Sequence, residues 1–212
     1  MAATETALCN EALGLLGEAR ISDIDANEPA AVACAVQFDG ARDFVLRRYD
    51  WAFARTRQSI AADSATPIGE EYDYQYTVPT GGAVPKALVL RRVIGYARLT
   101  TRDIVREGGK WLTNISGPLE VVYTFQETNV ANFDPAFAQA LSIYLAHRVS
   151  VPLGKDVSIS HAWLGVFEQF FRTAAGLDAE QDPAPAGDDH WVDVGRGESA
   201  GEIPIPRMLT PS

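Results

Sequence analysis

Histidine and cysteine are scarce in this chain, at three and two of 212 residues. His147, His161 and His190 stand far apart, so no imidazole group has the spacing of metal ligands. There is no Cys-x-x-Cys, no His-Glu-x-x-His, no phosphate loop and no dinucleotide glycine fingerprint. The expectation is a protein without metal or cofactor, and not an enzyme. Cys9 and Cys34 fall in helical patterns among alanines and leucines, which suits reduced core thiols in a cytoplasmic setting. No apolar run reaches the roughly 20 residues that span a bilayer, so no membrane partner is expected. The start, Met1 to Glu5, lacks the basic and apolar regions of a signal peptide. Positive charge is also in deficit: 18 Lys and Arg against 28 Asp and Glu give −10. Generic nucleic-acid binding needs a basic stripe to displace counterions, and a chain this acidic argues against it. DNA that merely slides past remains compatible.

What the chain has in plenty lies at its end. Residues 178–212 hold five prolines, four glycines and eight acids against Arg196 and Arg207. Such a stretch cannot bury enough apolar surface to offset its backbone entropy. Trp191-Val192-Asp193-Val194 and Ile203-Pro204-Ile205-Pro206 nevertheless place large apolar residues at alternate positions, on one face of an extended chain. The segment reads as an arm made to lie along another protein. Trp191, Val192, Val194, Ile203 and Ile205 are its expected anchors, and Arg207 its expected ionic contact.

Before the arm, hydrophobic period separates helices from strands. A first helix is predicted from near Thr4 to Leu16, with Leu8, Ala12, Leu15 and Leu16 on its period and Gly17 as its stop. Asn27 as cap and Pro29 in the first turn announce a second, running to about Arg48. Cys34, Phe38, Ala41, Val45 and Leu46 would face inward. Arg42, Asp43, Arg47 and Arg48 would lie on or beside the exposed face, a candidate contact with a neighbouring subunit. Trp51 and Phe53 are expected to close the helices beside a β unit. That unit is predicted over 67–127, as four to six antiparallel strands with Glu107-Gly108-Gly109-Lys110 as a hairpin turn. Asp134-Pro135 starts a third helix carrying Phe137, Ala140, Leu141, Tyr144, Leu145 and Val149. A fourth, capped by Ser158 or Ser160 and closed by Gly176, would bury Trp163, Val166, Phe167, Phe170 and Phe171. The fold class is α+β: a four-helix bundle with an inserted antiparallel β module and an extended C-terminal arm. Its parts are a helical pair (1–66), the β module (67–127), a second helical pair (128–177) and the arm (178–212).

Two groups of residues invite a catalytic reading. Ser158, Ser160 and His161 suggest a nucleophile and base, but adjacent residues on a helix do not face each other, and a cap explains the serines. Glu70, Glu71 and Asp73 beside Tyr72, Tyr74 and Tyr76 suggest glycan hydrolysis, which needs two carboxylates at a set spacing. A strand edge charged against pairing accounts for the same residues.

The string from Ala7-Leu8-Cys9-Asn10-Glu11-Ala12-Leu13-Gly14-Leu15-Leu16-Gly17-Glu18, through Ile21-Ser22, Asp39, Arg42-Asp43, Leu46 and Trp51-Ala52-Phe53-Ala54, resembles a known family. The pattern continues in Tyr74 to Pro79, Tyr123, Asp134-Pro135-Ala136-Phe137 and Ala140 to Ala146. It is similar to the tail tubular protein A group of tailed phages and related head-to-tail adaptors, over about residues 5–175. The resemblance implies a structural protein of the virion neck, assembled in the host cytoplasm. It implies a ring, usually of twelve copies, beneath the portal protein, with genomic DNA passing through the lumen. A C-terminal arm on the portal and a platform for the next neck or tail protein are also implied. A tail terminator or stopper without direct portal contact is the alternative.

Overall fold

The computed structural model describes residues 4–65, 67, 71–94 and 103–181, the last nine as backbone only. It is a mixed α/β structure of four α-helices and two small antiparallel sheets of three strands each. Helix α1 (Glu5–Leu15) is capped by the Thr4 hydroxyl, which accepts from the Ala7 N–H, and Gly17 turns the chain at φ 72°. Helix α2 (Pro29–Arg48) begins with proline in its first turn. Its cap position is Glu28, without a side-chain bond, so Asn27 is not the cap the sequence suggests. Helix α3 (Pro135–Ser150) is capped by Asp134, whose carboxylate accepts from the Ala136 N–H at 2.8 Å. Helix α4 (Val157–Gln181) follows, with the Asp156 carboxylate accepting from the Ser158 N–H at 2.7 Å. Asp156 thus takes the capping role expected of Ser158 or Ser160.

Helix α3 packs against each of the other three. Its residues Ala140 to Ala146 are buried without a break, so it shows no polar face over two turns. Only three neighbouring helices in contact with it allow that burial. Helix α4 does not stop at Gly176. A helix-interior glycine costs only about 1 kcal/mol against alanine, and the Ala, Leu and Glu residues flanking it favour helix. The expected boundary between helical part and arm therefore falls inside α4.

The strands are β1 (Arg55–Ile60), β2 (Tyr74–Thr77), β3 (Ala87–Val93), β4 (Val105–Glu107), β5 (Lys110–Thr113) and β6 (Leu119–Phe125). One sheet has the order β1-β6-β3 and the other β2-β5-β4. Strand β1 lies within residues 1–66, which the sequence reading gave to helices alone. It lacks alternation, and pairs Arg55 with Thr124 through Ile60 with Leu119 along β6. Gly108 and Gly109, at φ 53° and 78°, form the two-residue hairpin turn that strand twist favours. Tyr76, Trp111, Leu119, Val121 and Tyr123 share a core between the two sheets. A larger core joins the helices to Leu88 of β3.

Candidate functional site: the joint between helix α2 and the sheets

Helix α2 ends where Tyr49 turns extended, leaving carbonyls without helical donors. Arg91 on β3 supplies them. Its Nη2 donates to the carbonyls of Leu46 and Arg47, each at 3.4 Å, and of Tyr49, while Nε donates to Thr124 Oγ1 at 2.7 Å. Burial lowers the Arg91 pKa below the usual guanidinium value, and the Asp50 carboxylate at 3.6 Å opposes that shift. Arg47 and Arg106 both donate to the Leu88 carbonyl, at 3.3 and 3.0 Å. Arginine cross-links therefore join the helix end to the strands.

The four charged residues expected on an open face of α2 all belong to this intrachain framework. Arg42 is buried, at 3% exposure, which corrects its expected placement. It donates to Asp39 Oδ1 at 2.7 Å and, from Nε and Nη2, to Asp43 Oδ1 at 3.1 and 3.0 Å. Asp43 is half-buried and also accepts from Gln126 Nε2 at 2.6 Å. Arg48 pairs with Glu168 of α4 at 2.6 Å and lies over the rings of Phe44, Phe167 and Phe171. Period places these side chains near the helix surface: Arg47 and Arg48 are exposed there as expected, Asp43 is half-buried, and Arg42 is buried. Charge in a helical pattern does not reveal whether its partner lies inside the chain.

Trp51 is fully buried at the same joint. Its Nε1–H donates to the Val45 carbonyl at 3.1 Å, and its ring meets Phe137 edge-on at 5.2 Å and Phe171 at 6.1 Å. Phe53 packs on Phe137 at 5.0 Å and on Phe133 at 5.9 Å. Phe133, absent from the sequence reading of the site, completes this set. Its position just before the Asp134-Pro135 helix start was the available signal.

Other sequence candidates lie elsewhere. Glu70 falls outside the described residues, as do Trp191, Val192, Val194, Ile203, Ile205 and Arg207. Glu71 and Asp73 are exposed, and Asn114 holds their backbone by bonds to the Asp73 N–H and the Glu71 carbonyl. Ser160 is buried and its hydroxyl lies 2.9 Å from Nδ1 of His147, not beside His161. That pair joins α3 to α4. Cys9 and Cys34 are buried, free and hydrogen-bonded to each other between α1 and α2. The shared bond and burial hold the Cys9 thiol protonated, far above its usual range.

An open groove of about 500 Å³ runs between α1 and α4. Gly14 and Leu15 form one wall, Trp163, Val166 and Phe170 the other, and Ser142 and Ile143 of α3 the floor. The Ser142 hydroxyl donates to Glu11 Oε2 at 2.9 Å. Leu15 and Val166, expected to be buried, are 40% and 44% exposed here. Among the described residues, no element covers their side of either helix.

A scan of protein-family models finds no match, and a comparison with curated proteins finds none. Among the described residues, no helix is long and apolar enough to cross a membrane.

Proposed function

We propose that this chain is a structural adaptor of a tailed-phage neck, one copy in a ring beneath the portal. In this reading the four helices act as a bundle, and the two sheets form its inserted module. Residues beyond Gln181 form the arm that clamps the portal through Trp191, Val192, Val194, Ile203, Ile205 and Arg207. DNA passes through the lumen, and the far side offers a platform to the next neck or tail protein.

One observation carries the reading. Most of the apolar residues of the family resemblance come from separate parts of the chain and meet in the helical core, while Tyr76, Val78 and Tyr123 lie in the core between the sheets. Leu8, Ala12 and Leu13 of α1, Trp51 and Ala54 of the joint, and Phe137, Ala140, Leu141 and Leu145 of α3 all belong to the helical core. Scattered motifs that converge as packing residues favour a scaffold. Residues 182–212 hold six acids against two arginines, with the apolar anchors between them. An arm that orders on binding loses about 2–5 kcal/mol to ordering, and repetition around a ring offsets this through effective concentration.

The test is binding of the purified chain to its portal, with and without residues 182–212, followed by copy counting by native mass. The truncation point follows Gln181, so α4 stays whole. Stoichiometric binding that requires the arm is the expected outcome. Docking by the truncated chain removes the clamp, and failure of the full chain to bind shifts the assignment to a tail-side stopper.

A further inference from the structure

We propose that Cys9 and Cys34 are a redox modification site, which a peroxide converts into one intrachain disulfide that locks α1 onto α2. The inference goes beyond the adaptor reading and does not depend on it. The two are the only cysteines of the chain. They come from different helices, are both fully buried and free, and are hydrogen-bonded to each other. Packing alone accounts for a buried thiol, but not for the chain's two thiols meeting each other.

Helices α1 and α2 are in contact. Ala12, three residues after Cys9, and Ala31, three residues before Cys34, lie on the same helix faces as the thiols and are fully buried. A disulfide joins Cα atoms about 5.5 Å apart, and small side chains let helix backbones approach closely. The connection between the helices is also fixed. Asn10 Oδ1 accepts from the Ile21 N–H at 2.8 Å, and its Nδ2 donates to the Ile21 carbonyl at 3.0 Å. Thr6 Oγ1 accepts from the Ile24 N–H at 3.2 Å. The thiols are thus held face to face before any bond forms.

The two sulfurs are not equivalent. Cys9 donates the shared bond, which together with burial and the charge of Glu5 disfavours its thiolate. The same bond favours the Cys34 thiolate, with burial opposing. Cys34 is therefore the attacking sulfur and Cys9 the resolving one. The Cys34 thiolate attacks hydrogen peroxide, the O–O bond breaks, and the hydroxide that leaves takes up the Cys34 proton as water. Cys9 then attacks the sulfenic sulfur, the S–O bond breaks, and that hydroxide leaves with the Cys9 proton as a second water. The two thiols lose two electrons and the peroxide gains them. Burial bars a second chain or a bulky disulfide, whereas local opening admits a small neutral oxidant. A reducing cytoplasm keeps both thiols reduced, and the bond forms once the chain meets oxidising surroundings.

The experiment treats the full chain with about 1 mM hydrogen peroxide at neutral pH for hours, the slow end of uncatalysed disulfide formation. Remaining thiols are counted with a maleimide after unfolding, because Met1 and Met208 also take up oxygen and blur the mass. Both thiols disappear together, a non-reducing digest yields a Cys9–Cys34 cross-linked peptide, and a non-reducing denaturing gel keeps a single-chain band. Closing the stretch from Cys9 to Cys34 raises the unfolding midpoint by about 10 °C, and dithiothreitol reverses the change. C9A keeps the attacking sulfur and accumulates a sulfenic acid that dimedone labels on unfolding, whereas C34A is labelled about tenfold less. Thiols that survive, or that react only in urea, overturn the proposal. So do sulfinic or sulfonic acids in place of the disulfide, and an oxidised chain that melts below the reduced one. Equal labelling of C9A and C34A overturns the choice of attacking sulfur. Wild-type oxidation decides the site by itself, so the test stands even where a variant fails to fold.

Discussion

The Trp51 indole donates to the carbonyl of Val45 at 3.1 Å, six residues back in the chain. This bond folds the segment after α2 against the helix it has just left. It sets the ring between Phe137 of α3 and Phe171 of α4, so one side chain ties three helices together. The adjoining strand β1 begins four residues later, at Arg55. The direction in which the β part leaves the helices is therefore set beside this contact.

Trp51→Ala should cost about 3–5 kcal/mol, the range for emptying a large buried aromatic site. Urea unfolding measures it, and soluble yield should fall in parallel. Trp51→Phe should recover part of the packing but leave the Val45 carbonyl without its indole donor, a loss of about 1–3 kcal/mol. Normal stability in Trp51→Ala, with assembly lost, would make the residue an interface contact.

Arg91 is the second joint. Arg91→Ala should destabilise by about 3 kcal/mol, since Asp50 would lose a charged partner and the α2 carbonyls their donor. Arg91→Lys should rescue little, because an ammonium cannot reach Thr124 and the helix end together as the planar fork does. Hydrogen exchange separates this from general destabilisation. In Arg91→Lys the amides of the last turn of α2 should lose protection before those of α3.

The Lys110 ammonium lies 2.5 Å from Asp63 Oδ2, and Thr77 donates to the same carboxylate at 2.9 Å. The Lys110 bond is the larger cause of an Asp63 pKa below its ordinary value, with Thr77 assisting. A carboxyl lowered in the folded state stabilises above its unfolded pKa, and that gain disappears as pH falls through the folded value. Both side chains are partly exposed, so the gain should be under about 1 kcal/mol. Asp63→Asn should lose that gain at neutral pH and differ progressively less from wild type below about pH 4, where the wild type loses it as well. A carboxyl titration of Asp63 by NMR that gives an ordinary value would remove the basis for this expectation.

Much of the local structure was legible in the sequence, because its causes act over four residues or fewer. Thr4, Pro29 and Asp134-Pro135 mark helix starts, Gly17 marks an end, and Gly108-Gly109 marks a hairpin. Each follows from a cap, a fixed φ or a φ that glycine alone adopts readily. Strand β6 was legible too, since Leu119 to Phe125 is a dense run of β-forming residues.

Tertiary structure alone decided the rest. Strand β1 has no alternating pattern, and exists because β6 offers it a ladder more than fifty residues away in the chain. Arg42 is buried because Asp39, Asp43 and the segment carrying Gln126 enclose it, and Arg91 reaches α2 across 42 positions to Tyr49. Leu15 and Val166 fit a buried period, yet stand open because no element among the described residues covers the gap between α1 and α4. Helical period shows which side of a helix is apolar. What covers that side depends on which distant segments meet it, and burial and pairing are settled only when they do.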